Sequence, residues 1–222
     1  MDYYFLSQTS LFMGCEAEDI PHMLSAMKHK VRKYNKGQFI YSNGEIVREV
    51  CVVLSGSVQI ENVDLFGKRS ILGISEAGDI FAESYACISN QPMLVDVVAR
   101  EDTEILRMDV PTLFSKAGTN DYAAKLIENL LRISSQKNLK LSMRILHSAP
   151  KTIRARLYSY FSEQISIQES NNIVIPLDRQ QLADYLGVDR TALSKELGKM
   201  RDEGLITFHK NEFHILAANE KS

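Results

Sequence analysis

Glycine-punctuated short strands across the first half, a long two-sided apolar helix after residue 120, and a capped, Ala–Gly-spaced helix pair near the end predict an α+β fold. The expected order is an N-terminal antiparallel β-roll or jelly roll over 1–119 and a long helix over 120–147 along which two copies dimerise. A winged helix-turn-helix over 148–222 completes it.

The strand signals come first. Phe39–Tyr41 is a short apolar run followed by the turn 42–45, and Val50–Leu54 runs into Ser55-Gly56. Val58 and Ile60 then alternate with Gln59 and Glu61, and 65–68 breaks the pattern before Ile71–Ile74. Further segments lie at Met93–Val98 and Glu104–Met108. Glycines 37, 44, 56, 67, 73 and 78 recur at spacings of 5 to 12, the punctuation of an antiparallel roll. Ahead of them, 17–27 reads as a helix with Ile20, Met23, Leu24 and Met27 on one stripe.

After residue 120 the period lengthens. Ala123, Leu126, Ile127, Leu130, Leu131 and Ile133 repeat at threes and fours, and the pattern continues through Leu141 and Ile145 towards Pro150. Such a helix is about 40 Å long. Apolarity on two sides suits packing on its own domain with one face and on a second copy with the other. Lys137 and Asn138 interrupt the stripe, as residues facing a pocket or fixing a register do. Ile153, Leu157, Tyr160 and Phe161 begin another amphipathic helix, followed by a polar stretch over 166–172 and a strand at Ile173–Ile175.

The densest signal runs from Leu177 to Leu216. Asp178 with Gln181 forms a capping box, and Leu182 and Leu186 share one side of the helix it opens. Ala183 is small where a second helix must cross, and Gly187 can take the left-handed turn between them. Val188 plugs that turn. Asp189 caps the second helix, in which Leu193, Leu197 and Met200 face inward; Glu196 departs from the pattern, standing where an apolar residue is usual. Residues 202–206 stop the helix, and 208–216 fold back as a hairpin that reads as a wing.

A helix pair of this kind places its second helix in the DNA major groove. Arg190, Thr191, Ser194 and Lys195 lie outward near the start of that helix, where they can reach base edges or phosphates. Arg179 and Gln180, at the first helix N-terminus, are placed for phosphate. Bulk charge does not announce this role, since the net charge is −2 and residues 148–222 hold ten basic and ten acidic side chains.

On these residues the chain resembles the Crp–Fnr superfamily of transcription regulators. The roll half carries the matching runs Lys36–Ile40, Asn43–Glu45, Val53–Val58 and Ala77–Glu83, and the last half carries Arg179-Gln180 and Arg190–Lys195. The resemblance implies a homodimer on double-stranded DNA that bends its site and contacts RNA polymerase. It also exposes a departure. Cyclic-AMP-binding members use a Gly-Glu pair and, ten residues on, an Arg-Ser pair. Here Ala82-Glu83 replaces the first, and ungapped counting puts Met93-Leu94 at the second. A phosphate against Met and Leu would be left uncompensated, so cyclic-nucleotide control is not expected. A small apolar effector, or none at all, is the alternative, with Glu83, Met93, Leu94, Lys137 and Asn138 as candidate pocket residues. Thr191 stands where many members carry Glu, so an operator unlike the family's best-known palindromes is expected.

Other classes find little support. Three scattered cysteines cannot hold an iron–sulfur cluster, no histidine pair suits a haem, and no cofactor is expected. Cys87 is expected to be a buried apolar thiol, with a redox switch as the alternative. No phosphate loop, HExxH or GxSxG motif supports an enzyme. A roll acting as a sensor module on a protein partner is the rival reading, and the helix-turn-helix speaks against it. No apolar run spans a membrane and the first residues lack a basic signal-peptide region, so a reducing cytoplasm is the expected compartment.

Overall fold

The computed structural model describes residues 1–25, 27–88 and 90–216 and divides into two compact units, Met1–Gln136 and Lys137 onward. In the first unit α1 (Tyr3–Ser7), a 3₁₀ turn at Ser10–Phe12 and α2 (Ile20–Ser25) precede eight strands. These are β1 (His29–Tyr34), β2 (Phe39–Tyr41), β3 (Glu49–Ser55), β4 (Ser57–Val63), β5 (Arg69–Glu76), β6 (Ile80–Phe81), β7 (Asp96–Ala99) and β8 (Thr103–Asp109). They form two four-stranded antiparallel sheets, β1-β8-β3-β6 and β2-β7-β4-β5. Helix α3 (Glu83–Cys87) interrupts the strands, and α4 (Val110–Ser115) and α5 (Asp121–Ser148) follow them.

The continuous apolar run at Val50–Leu54 has a packing cause: β3 is buried on both faces. Cys51 and Val53 face the roll interior with Ile40, Val58, Met93, Val97 and Ile105. Val50 and Val52 face the other way, with Leu106 and Met108, onto a helical layer built by Leu6, Phe12, Ile20, Met23, Leu113, Leu126 and Leu130. The first half of α5 therefore belongs to that layer. Asn129 is fully buried on it and donates to the carbonyls of Leu11 at 2.8 Å and Met13 at 3.0 Å, which anchors the 3₁₀ turn. From Ser134 to Leu146 no residue of α5 is buried, and Leu139, Leu141, Ile145 and Leu146 are all more than half exposed.

Several elements differ from the sequence expectation. Strand β1 has five exposed residues out of six, so no apolar alternation marks it; its register comes from β8. Helix α2 is shorter than 17–27, with Ala26 outside the described residues. The segment expected as a strand from Met93 is an extended arm tied to the 42–45 turn by Gly44 N to Met93 O and Met93 N to Glu45 O, and pairing begins only at Asp96. Cys87 is exposed rather than buried, because it ends α3 on the outer side of the roll.

Ala82 stands at φ 63°, ψ 3°, left-handed backbone at the position where the cyclic-AMP-binding members of the resembling family carry glycine. The turn into α3 demands that conformation whichever residue occupies it. Ala82→Gly is expected to raise the stability of the first unit by about 0.5 kcal/mol, relief of left-handed strain offset by unfolded-chain entropy. Ala82→Val, β-branched, is expected to cost more than about 1 kcal/mol; urea unfolding of the two variants side by side checks the ordering.

The second unit continues α5 and adds α6 (Ile153–Gln168), β9 (Asn172–Val174), α7 (Arg179–Leu186), α8 (Arg190–Asp202), β10 (Ile206–His209) and β11 (Glu212–Ile215). The three strands form one antiparallel sheet in the order β10-β11-β9. Helix α6 runs three residues into the segment expected as loop, because the Gln168 side chain bonds both the N–H and the carbonyl of Val174 and so joins helix to strand. Residues 217–222 lie outside the described residues.

Candidate nucleic-acid interface

The helix pair is held by the features its sequence carries. Asp178 accepts from Gln181 N at 2.8 Å while Gln181 Oε1 accepts from Asp178 N at 2.8 Å, a reciprocal box that satisfies two free amides of α7. Gly187 ends α7 at φ 64°, ψ 44°, and Val188 N returns to Ala183 O at 3.0 Å. Asp189 then caps α8 through Ala192 N at 2.9 Å. Ala183, Leu182, Leu186, Leu193, Leu197 and Met200 are fully buried, and the core closes with Leu157, Phe161, Ile206 and Phe213.

Three arginines outside the motif hold it rigid, and the sequence reading did not find them. Arg156 donates to the carbonyl of Pro150 (2.8 Å), ahead of α6, and to those of Leu186 (2.8 Å) and Gly187 (3.1 Å) at the C-terminal end of α7. Arg144 reaches the carbonyls of Asp184 and Tyr185 at 3.0 and 3.3 Å. Each places a cation at the carbonyls that end α7. Arg154 explains the departure at Glu196: its guanidinium pairs with Glu196 at 2.6 Å and forks onto Glu203 at 2.6 and 2.8 Å. The usual apolar contact is thus replaced by an ion-pair fork between α6 and α8. In sequence all three look like ordinary charges on helix faces.

The proposed contact residues divide into two sets. Arg190, Thr191, Ser194 and Lys195 are exposed on the first turns of α8, all on the side away from the buried Leu193 and Leu197. Gln180 is exposed and donates to Asp184 at 2.8 Å. Arg179 is different. Its guanidinium lies 5.2 Å from the ring centroid of Phe208 and 5.4 Å from that of Phe213, and it donates to Lys210 O at 3.2 Å in the β10–β11 turn. Burial, and then the neighbouring Arg190, push it below the ordinary arginine value. It is therefore stacked on the wing, and it lines a cleft of about 530 Å³ with Pro176, Gln181, Lys210 and Asn211. Lys210, at φ 53° in the wing turn, is an exposed cation beside this cleft that the sequence reading passed over.

In the first unit, Glu83 is buried at the start of α3, Met93 is buried in the roll interior and Leu94 is 64% exposed. Met93 and Leu94 are thus not brought together as one pocket wall. Lys137 and Asn138, both exposed, belong to the second unit. Among the described residues no group of His, Cys, Asp or Glu could hold a metal ion, and no helix is long and apolar enough to cross a membrane.

Residues 31–119 match the family model described as cyclic nucleotide-binding domain, and residues 155–220 match that described as Crp-like helix-turn-helix domain. The chain is 23% identical over 207 residues to the anaerobic regulatory protein of Bacillus subtilis (strain 168), covering 90% of this chain and 84% of that one. It is 23% identical over 199 residues to the cyclic AMP receptor protein of Thermus thermophilus, covering 88% and 87%. Among solved structures, OCPA-complexed CprK superposes with a TM-score of 0.56 at 14% identity, covering 89% of this chain and 91% of that one. The c-di-GMP responsive regulator CLP of Xanthomonas campestris superposes with a TM-score of 0.53 at 18% identity, covering 91% and 100%. At such identities the structural likeness speaks for the fold.

Proposed function

The chain belongs to the Crp–Fnr superfamily of transcription regulators, and we propose that it works as a homodimer whose two recognition helices read a two-fold operator. The observation that carries this reading is the outward face of α8. Arg190, Thr191, Ser194 and Lys195 are exposed together on a helix whose cap, turn and far end are all tied down. Arg190 and Lys195 donate to guanine edges or phosphate, and Thr191 and Ser194 reach base edges or a thymine methyl. Gln180 and the wing, steadied by Arg179, meet the backbone on either side.

The working parts are a sensor over 1–119, a dimerisation helix over 120–147 and the DNA-binding unit from 148. Exposed Leu131, Leu141 and Ile145 support the middle assignment. With Ile127, Ser134 and Asn138 they repeat at alternating fours and threes, the spacing of a coiled-coil seam, with Asn138 as its polar register residue. The dimer acts in the cytoplasm and contacts RNA polymerase when bound. Its effector is not a cyclic nucleotide, since neither Met93 nor Leu94 supplies a cation for a phosphate.

Selection of duplexes from a random pool by the purified protein is expected to yield an inverted repeat with half-sites about one helical turn apart. Thr191 cannot take a cytosine N4–H as a carboxylate does, so the recovered half-site differs from the family's best-known palindromes. Recovery of those palindromes would refute the Thr191 assignment, and recovery of no repeat would refute the dimeric reading.

A further inference from the structure

The joint between α5 and the rest of the DNA-binding unit is made by one side chain held at both ends. The part of α5 from Lys137 onward belongs to that unit and carries the seam residues Asn138, Leu141 and Ile145. Yet among the described residues the apolar core of the unit takes no side chain from α5. A groove of about 590 Å³ lies between α5 and α6 instead, lined by Met143 and Leu146 from the first and by Ser159, Ser162 and Ile167 from the second. A joint with few buried apolar contacts has low local stability, so its polar ties decide the angle it holds.

Those ties converge on Tyr185 of α7. Arg144 Nε donates to the Tyr185 carbonyl at 3.3 Å, and Arg144 Nη2 donates to the Asp184 carbonyl at 3.0 Å. At its other end, Tyr185 Oη lies 2.9 Å from Nδ1 of His147, the one buried residue of α5 after Ile133. The rings of Tyr160 and Tyr185 flank that imidazole, with centroids at 5.5 and 5.8 Å. Helix α7 in turn carries α8 through the buried Ala183 and the Gly187 turn. From this geometry we infer that Tyr185, gripped by Arg144 and His147, is the latch that passes the position of α5 to α8 and so sets the half-site spacing a dimer accepts. Two recognition helices joined through one seam meet their half-sites in register only if each holds a fixed angle to that seam. Arg144 and Tyr185 are thus positioning residues, acting on DNA through α8. Arg156 still ties the last carbonyls of α7 when the latch is open, so the helix pair survives its loss. The latch rests on the dimeric reading of α5 and α8.

The test compares the full chain with its Arg144→Gln, Tyr185→Phe double variant on three kinds of duplex. These are the selected operator, the operator with one base pair added or removed between half-sites, and a single half-site. The native dimer is expected to lose at least about tenfold in affinity on either altered spacing. The double variant is expected to bind the parent operator about tenfold more weakly, to lose less than about threefold on the altered spacings, and to keep native half-site affinity. Arg144→Lys, which keeps a donor for one carbonyl, is expected to restore part of the spacing preference. The angle is read without DNA by pulsed EPR between spin labels at Lys140→Cys and Thr207→Cys, both exposed positions. The labelled chains carry Cys15→Ser and Cys87→Ser, keep the buried Cys51, and are diluted with unlabelled protein. One narrow distance is expected with the latch intact and a broad distribution in the double variant. An unchanged spacing preference or an unchanged distance distribution in the double variant overturns the latch, as does an equal loss on the single half-site. If the native chain itself shows no spacing preference, the dimeric reading fails, and the label distances alone decide the latch.

Discussion

Replacing Arg190 and Lys195 together by alanine is expected to lower operator affinity by at least about 10³-fold, down to the level of random duplex. Each residue of a base-reading pair is worth about 1–3 kcal/mol, and a homodimer loses both pairs at two half-sites. Neither side chain is buried, and no hydrogen bond or ion pair within the protein is described for either, so the melting temperature should stay within the small range of ordinary surface substitutions. The single variants separate the roles. A residue that only neutralises phosphate weakens all sequences alike and reduces the salt slope by about one per contact. A residue that reads a base relaxes the preference at one position and leaves random-duplex binding unchanged. Anisotropy titrations at several salt concentrations distinguish them, and unchanged operator affinity in the double variant would end the assignment of α8.

Gly56→Ala is expected to destabilise the roll by about 3–5 kcal/mol, left-handed strain added to a backbone collision. Gly56 sits at φ 78° between β3 and β4, and a methyl there would come within 2.6 Å of Asp102 O and 2.9 Å of Thr103 Cα. Those atoms cannot swing aside, because Thr103 Oγ1 is itself bonded to Ser57 O and Glu101 O. A loss of that size is a large share of a domain's total stability. Gly187→Ala is the matched control: φ is 64°, yet the new methyl meets only Arg156 Nη1 at 3.8 Å, so the cost is the strain alone, about 1–2 kcal/mol. Urea unfolding with separate probes in each unit should show the first variant affecting the roll and the second affecting the DNA-binding unit.

The DNA-binding unit was readable because its determinants are local. A capping box, an N-cap aspartate, a left-handed glycine and an inward leucine every third or fourth residue all act within a few positions of one another, so Asp178, Ala183, Gly187 and Asp189 could be placed from their order in the chain. What escaped was set by distant partners. Strand β1 is polar in sequence and is a strand because β8 pairs with it. Arg154 and Arg156 become structural because α8 and the α7 turn lie within their reach, some thirty to fifty residues away. The candidate pocket residues of the roll lie apart for a related reason. Met93 and Leu94 are adjacent in sequence, yet one faces the core and the other solvent, while Arg107, on a strand that reads as plain barrel wall, turns inward between two tyrosines.

The inward use of Arg144, Arg154 and Arg156 has a consequence for how the protein finds its target. Arg144 and Arg156 have donors committed to carbonyls, and the charge of Arg154 is compensated by Glu196 and Glu203, so these donors are not free to meet phosphate. Arg154 is therefore expected to add little to counterion release on arbitrary sequence, a contribution left to the exposed Arg190, Lys195 and Lys210. Discrimination is then expected to rest on the base edges that α8 meets more than on general attraction to the backbone.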